Sequence, residues 1–214
     1  MKKIALFGAT GQTGQPFLQK ALAAGYAVKA LVRSPENITQ QSDHLEVFKG
    51  DVLNPIDVEK TIADTDIVVS LIGHVKGSPE WLQADATRSM VAVMKKHGVE
   101  RIISLSGGGV PYPEKDQPKF PDKAFRFIMG IFFSKVLNDA IKHAEILKSS
   151  GLKWVVVRGP RLTNDPATGK YRVGWVGVNS GMKLTRADLA DFLVKQLEDE
   201  TYNQQMPMVS EAEQ

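Results

Sequence analysis

There is no cysteine anywhere in the 214 residues, and that absence removes disulfide bridges, thiolate nucleophiles and cysteine-ligated metal ions together. No metal site is expected. Runs of like charge are missing as well: Lys and Arg number 27 against 24 Asp and Glu, for a formal net charge of +3, yet no five basic residues stand in a row. A mildly cationic surface suits anionic small molecules and not a dedicated nucleic-acid face. Long apolar runs are also lacking. The most apolar stretch, Phe127 to Phe133, is far too short to cross a bilayer, and the N-terminus enters a strand at once, without the apolar segment and cleavage site of a secretory leader. The expectation is a cytoplasmic protein with no membrane span. What the chain does have is 43% apolar residues, enough for one full core, so residues 1–214 are expected to form a single domain.

The stretch from Lys2 to Gly25 organises the rest. An apolar run, Ile4 to Phe7, passes through Gly8, Gly11 and Gly14 into a segment whose Phe17, Leu18, Ala21 and Leu22 recur at helical spacing. This is strand, tight turn, helix. Glycines in such a turn adopt backbone angles closed to other residues and let a dinucleotide pyrophosphate approach the main chain, where the free N–H groups and positive end of the helix bind it. Pro16 falls in the first helical turn, where its missing N–H costs nothing. The following segments alternate strand and helix, which predicts an α/β fold: a Rossmann-like, doubly wound parallel sheet in three α/β/α layers.

In that fold the end of the second strand selects the cofactor. Tyr26 to Val32 alternates as a half-buried strand and ends at Arg33 and Ser34. An acid there would hold the ribose hydroxyls of NAD, whereas a base pairs with the additional 2′-phosphate of NADP. The acid is missing, so Arg33 and Ser34 favour NADP(H) over NAD(H); the alternative is a solvated turn arginine. Leu45 to Phe48 reads as a third strand, followed by Asp51 and Val52, with Asp51 either bonded to the adenine amino group or serving only its own turn. A helix is expected over Asn54 to Ala63. Ile67 to Ile72 is a buried parallel strand whose end, Leu71, Ile72 and Gly73, passes under the cofactor ribose or simply turns. After a helix from Glu80 to His97 and a strand from Arg101 to Leu105, Ser106 either reaches a nicotinamide or substrate oxygen or caps its loop.

The substrate side is expected at about 107–133 and 159–183. Prolines 111, 113, 118 and 121 make Val110 to Asp122 a loop over the crevice. Lys123 to Phe133 is apolar nearly all round; core packing is the expected fate, against a wall for a flat aromatic substrate or a subunit contact. Ser134 to Ser150 is an amphipathic helix on which Asn138 and Lys142, four apart, face the Ser106 loop if the helix packs beside that strand. Lys142 would then hold a ribose hydroxyl, or else it is an ordinary solvated lysine. Lys153 to Arg158 is a sixth strand and Tyr171 to Val173 a short one. Leu184 to Leu197 is a helix capped by Thr185 with Asp188, and the tail past Met208 is expected to fray.

The stretches KKIALFGATGQTG, ALVRSP, GDVLNPIDVEKTI, MKKHGVERIISLS, KHAEILKSSGLKWVVVRGPRLTNDPATGKY and KLTRADLADFL together resemble atypical short-chain dehydrogenases of the NmrA-like NAD(P)H-binding group. Within it they are most similar to the biliverdin-IX-beta reductase or flavin reductase branch. The resemblance covers nearly the whole chain. It implies an NADPH-dependent hydride donor with the pyrophosphate on Gly8 to Gly14, contacts from Thr10, Gln12 and Thr13, and Arg33 on the 2′-phosphate. It also implies a catalytic Ser106 near the nicotinamide, with Lys142 matching a family lysine. Two departures stand out: Asn138 occupies the tyrosine position of Tyr-x-x-x-Lys, and Gly107 stands where the reductase branch carries a hydroxyl. Three functions fit. The first is an NADPH-dependent reductase of a planar acceptor, a tetrapyrrole or a flavin taken as substrate and not as a tightly held cofactor. The second is an NADP(H)-binding redox sensor or regulatory protein of NmrA type. The third is a quinone or small-carbonyl reductase with Ser106 or Tyr112 as proton donor. A monomer or weak homodimer is expected.

Overall fold

The structure is a computed structural model that describes residues 1–212. The glycine turn joins strand β1 (Lys3–Phe7) to helix α1 (Gly14–Ala23), and the chain then builds outward through β2 (Ala27–Val32) and β3 (Leu45–Lys49). Helix α2 (Pro55–Ile62), with Asn54 accepting the Ile56 N–H as its cap, returns it to β4 (Ile67–Ser70) on the other side of β1. Helix α3 (Leu82–His97) ends at Gly98, whose φ of 71° supplies the left-handed stop. It leads to β5 (Arg101–Gly107), and helices α4 (Phe120–Phe132) and α5 (Ser134–Lys148) lead on to β6 (Lys153–Gly159). The order β3-β2-β1-β4-β5-β6 is parallel throughout and reverses direction between β1 and β4, so a crevice opens there at the carboxyl ends of the strands.

Past β6, a short parallel pair, β7 (Arg161–Thr163) with β9 (Lys183–Thr185), stands apart from the main sheet. Strand β8 (Tyr171–Gly174) and helix α6 (Arg186–Lys195) follow in the same stretch of chain. Thr185 caps α6 by accepting the Asp188 N–H at 3.0 Å, as its sequence predicts.

Both faces of the sheet are covered. Ile4, Leu6, Phe17, Leu189 and Phe192 fill the α1/α6 side; Phe7, Val58, Met90, Met94 and Leu147 fill the α2/α3/α5 side. Strand β2 is therefore buried from Val28 to Val32 and not half-exposed. Its apparent polar position, Lys29, is itself covered, with Nζ donating to the Ala63 carbonyl at 2.8 Å and lying over the Phe48 ring.

Two further expectations fail. As far as it is described, the tail does not fray: β10 (Met208–Glu211) inserts between β6 and β8, parallel to one and antiparallel to the other, with Val209 and Ser210 fully buried, and residues 213–214 lie outside the described residues. Its partners lie so far back in the chain that no local pattern announces it. Nor does the apolar segment enter the core. α4 starts at Phe120, because Pro121 fits a first helical turn and the Lys119 N–H reaches Asp122, but none of its residues is buried.

Candidate functional site

The turn after β1 is built on missing side chains. Gly8 has φ 87°, and a Cβ there would lie 2.7 Å from the Leu71 carbonyl oxygen at the end of β4. At Gly14 a Cβ would come within 2.0 Å of the Gly8 carbonyl oxygen. The Gly11 N–H closes the turn on that same oxygen at 3.0 Å. No backbone acceptor among the described residues takes the N–H groups of Gln12, Thr13 and Gly14. The result is a concave run of donors at the positive end of α1, which fits a pyrophosphate.

Beside this cradle lies a cavity of about 240 Å³ lined by Gly8, Thr10, Gly11, Arg33, Asp51, Val52, Leu71, Ile72 and Gly73 among others. Nine of the expected cofactor positions thus meet around one space, over the ends of β3, β2, β1 and β4. Arg33 follows β2 directly, is exposed, and makes no hydrogen bond or ion pair with the described residues. Asp51 serves its turn, accepting the Leu53 N–H at 2.9 Å, and still lines the cavity. Gln12, Thr13, Gly14, Ser34 and Ser106 do not line it. Thr13 and Gly14 are buried at the start of α1, and Ser34 opens the short 3-10 turn Pro35–Asn37.

Ser106 belongs to the other half, at the carboxyl end of β5 and in register with Arg158. It is buried, and its Oγ finds no hydrogen-bond partner among the described residues. A buried hydroxyl left unpaired costs about 1–3 kcal/mol unless something arrives to meet it. Ser104, two residues earlier, is by contrast satisfied by His143 Nε2 at 3.1 Å. The other ring nitrogen, Nδ1, lies 2.8 Å from Thr87 Oγ1, whose own proton goes to the Gln83 carbonyl, so Nδ1–H is the donor and Nε2 accepts from Ser104. Burial pushes His143 down to about 4, against the pull of the nearby Asp139 charge, and the ring is neutral near pH 7.

The structure does not bring Lys142 to Ser106. The lysine lies on the exposed side of α5, paired with Glu145 at 3.1 Å, and Asn138 is exposed with it. The inward positions are Asp139 and His143, one residue further round. The Asp139 carboxylate is fully buried and accepts the Gln83 and Ala84 N–H groups at 2.8 and 2.9 Å, capping α3 from a different helix. His74 Nε2 meets it at 2.6 Å, and Gln83 Nε2 donates to the Ile72 carbonyl, so the wall of the cavity after Gly73 is tied to α5. Sequence reading missed Asp139 and His74. The available signal was the register of Leu137, Ala140, Ala144 and Leu147, which puts 139 and 143 on the covered face.

The proline-rich loop after β5 is fastened down. Arg158 and Asp116 form a buried two-pronged ion pair with both contacts at 2.8 Å, and Asp116 also accepts the Tyr112 and Val176 N–H groups. Tyr112 is packed under Arg158 and Lys148 and against Trp175. Burial pushes its phenol up, seconded by the Glu114 charge, which makes it a poor proton donor.

A family model described as NAD(P)H-binding matches residues 8–200. An uncharacterized chloroplastic protein of Arabidopsis thaliana is 29% identical over 177 residues, covering 78% of this chain; the chain spans 62% of that protein's length. The uncharacterized protein YwnB of Bacillus subtilis is 26% identical over 226 residues, 99% of this chain and 100% of that one. The structure of a short-chain dehydrogenase/reductase from Veillonella parvula in complex with NADP shares the fold, with a TM-score of 0.77 at 20% identity over 98% of this chain and 94% of the other. With most of its length matched, and a glycine cradle at the switch point of its sheet, the chain belongs to the NAD(P)H-binding family.

Proposed function

We propose that the protein is an NADPH-dependent reductase that passes hydride to a planar conjugated acceptor, a flavin or a linear tetrapyrrole, akin to the biliverdin-IX-beta and flavin reductases. NADPH, when bound, supplies the hydride from nicotinamide C4. The Gly8–Gly14 cradle would hold its pyrophosphate and Arg33 its 2′-phosphate, a role that suits an arginine with no partner among the described residues where NAD sites carry an acid. The observation that carries the reading is the state of the polar groups on the Ser106 side. Asp139 and His143 are buried and engaged with each other's surroundings, Tyr112 is held protonated, and Lys142 faces solvent. None of these four groups is a poised proton donor, so the residues serve to orient two flat partners, with Ser106 Oγ as the hydrogen-bonding group that has no partner among the described residues and the balancing proton drawn from water.

The test is oxidation of NADPH or NADH by the purified protein with FMN, FAD, biliverdin and a quinone offered separately. Turnover with a flavin or biliverdin, faster with NADPH, is expected, and Ser106→Ala should lower kcat/KM about tenfold. Binding of NADPH without turnover by any acceptor would favour a redox sensor, which the lack of a poised donor suits equally. A bell-shaped pH profile with the quinone and strong loss on Tyr112→Phe would favour acid-assisted carbonyl or quinone reduction.

A further inference from the structure

Helix α4 wears its apolar side outward. Five of the chain's nine phenylalanines fall between Phe120 and Phe133 and all five are exposed, Phe120, Phe127 and Phe132 at 83%, 71% and 73%. Ile128 and Ile131 continue the same band. Of the four half-covered positions, Asp122, Arg126 and Met129 share the opposite side of the helix, which leans mainly on α5, and the small Ala124 sits among the rings of the apolar side. A soluble helix does the reverse. So large a contiguous apolar patch marks an interaction surface.

Charge identifies the occupant. The 17 residues from Lys119 to Lys135 hold Lys119, Lys123, Arg126 and Lys135 against the single acid Asp122; Lys135 lies 3.6 Å from Glu80, and Lys119, Lys123 and Arg126 have no ion-pair partner among the described residues. Lys123 stands one turn from both Phe120 and Phe127, at the border of the apolar band. Its stem can lie along the rings with the ammonium at headgroup level. Two copies meeting through this face would set one cationic rim against another, whereas an anionic lipid surface offers an apolar layer and the opposite charge together.

We propose that α4 docks the protein on an anionic membrane surface, lying in the interfacial plane with its phenylalanines at the acyl boundary and without spanning the bilayer. Crossover helices start at the carboxyl edge of the sheet, so α4, immediately before α5, lies at the rim of the crevice, and docking would bring the crevice mouth alongside the lipid.

Co-sedimentation of the intact chain with vesicles tests this. Vesicles of equal parts phosphatidylcholine and phosphatidylserine should bind it, with roughly tenfold weaker binding to phosphatidylcholine alone and a comparable loss at high salt. The double variant Phe127→Asp, Phe132→Asp should lose at least about tenfold in vesicle binding while keeping its NADPH affinity and circular dichroism. Ile56→Asp, at an exposed apolar position on α2 away from the cationic stretch, should bind vesicles like the parent chain. Failure to sediment with the anionic vesicles overturns the proposal, as does equal binding to neutral ones. A lipid-free dimer that the double variant splits, seen by sedimentation velocity, would assign the face to a second copy and overturn it as well.

Discussion

On the β3-β2-β1 side of the switch point the crevice is shaped by main chain: Gly8 and Gly14 leave room for carbonyls, α1 offers N–H groups that no described backbone acceptor takes, and Arg33 is the one charged residue of the cavity lining without a partner among the described residues. On the β4-β5-β6 side the shape comes from side chains locked to one another across the fold, Asp116 with Arg158, Asp139 with α3 and His74, and His143 with Ser104 and Thr87. The first half needs only that certain side chains be absent. The second needs particular partners, each dozens of residues away, and is the half where stability and shape are the same thing.

The sharpest way to separate the halves is Asp116→Ala. It leaves the Arg158 guanidinium buried and unpaired, so thermal unfolding should reveal a loss of about 3–5 kcal/mol. Below the melting range, affinity for 2′,5′-ADP should be unchanged; a parallel loss would mean that the halves are one unit. Acid should strike the same half. The unfolded chain takes up a proton on His143 from about pH 6.5 downward, whereas the folded chain refuses it until about 4. Stability is therefore full above pH 6.5 and falls as pH drops toward 4, by about 3 kcal/mol from this group. Urea midpoints at neutral and acid pH measure it, and His143→Gln should flatten the slope.

On the main-chain half, Gly14→Ala should cost about 1–3 kcal/mol of stability from backbone displacement. It should also weaken NADPH binding about tenfold or more by fluorescence titration, since the donors on α1 shift with it. Arg33→Ala should remove about 1–2 kcal/mol from NADPH binding and almost nothing from NADH binding; equal losses would deny the arginine its 2′-phosphate. The smallest effect belongs to Lys142→Ala, within about 0.5 kcal/mol in stability and with unchanged turnover, as for an exposed helix lysine paired at the surface. A large kinetic loss there would return Lys142 to the crevice.

How much of this was legible follows the same division. The glycine spacing, the missing acid after β2 and the strand-helix alternation are local signals, and they carried the parallel sheet and the ring of cavity residues. On α5, by contrast, one residue means 100° of rotation: reading Asn138 and Lys142 as inward, and not Asp139 and His143, reverses which groups are solvated. An apolar segment such as Phe125 to Phe133 says that something must cover it but not whether that is the core, and β10 meets β6 across some fifty residues of chain with only a few apolar side chains to announce it.

Trp81, at the start of α3, offers no side-chain cap, and that helix is finished by Asp139 instead. The cavity wall from Gly73 to Leu82 accordingly takes its form only when α5 docks. Its conformational entropy is surrendered during folding, well before any nucleotide arrives, so association on that side should proceed by rigid fit, with little ordering left to oppose it.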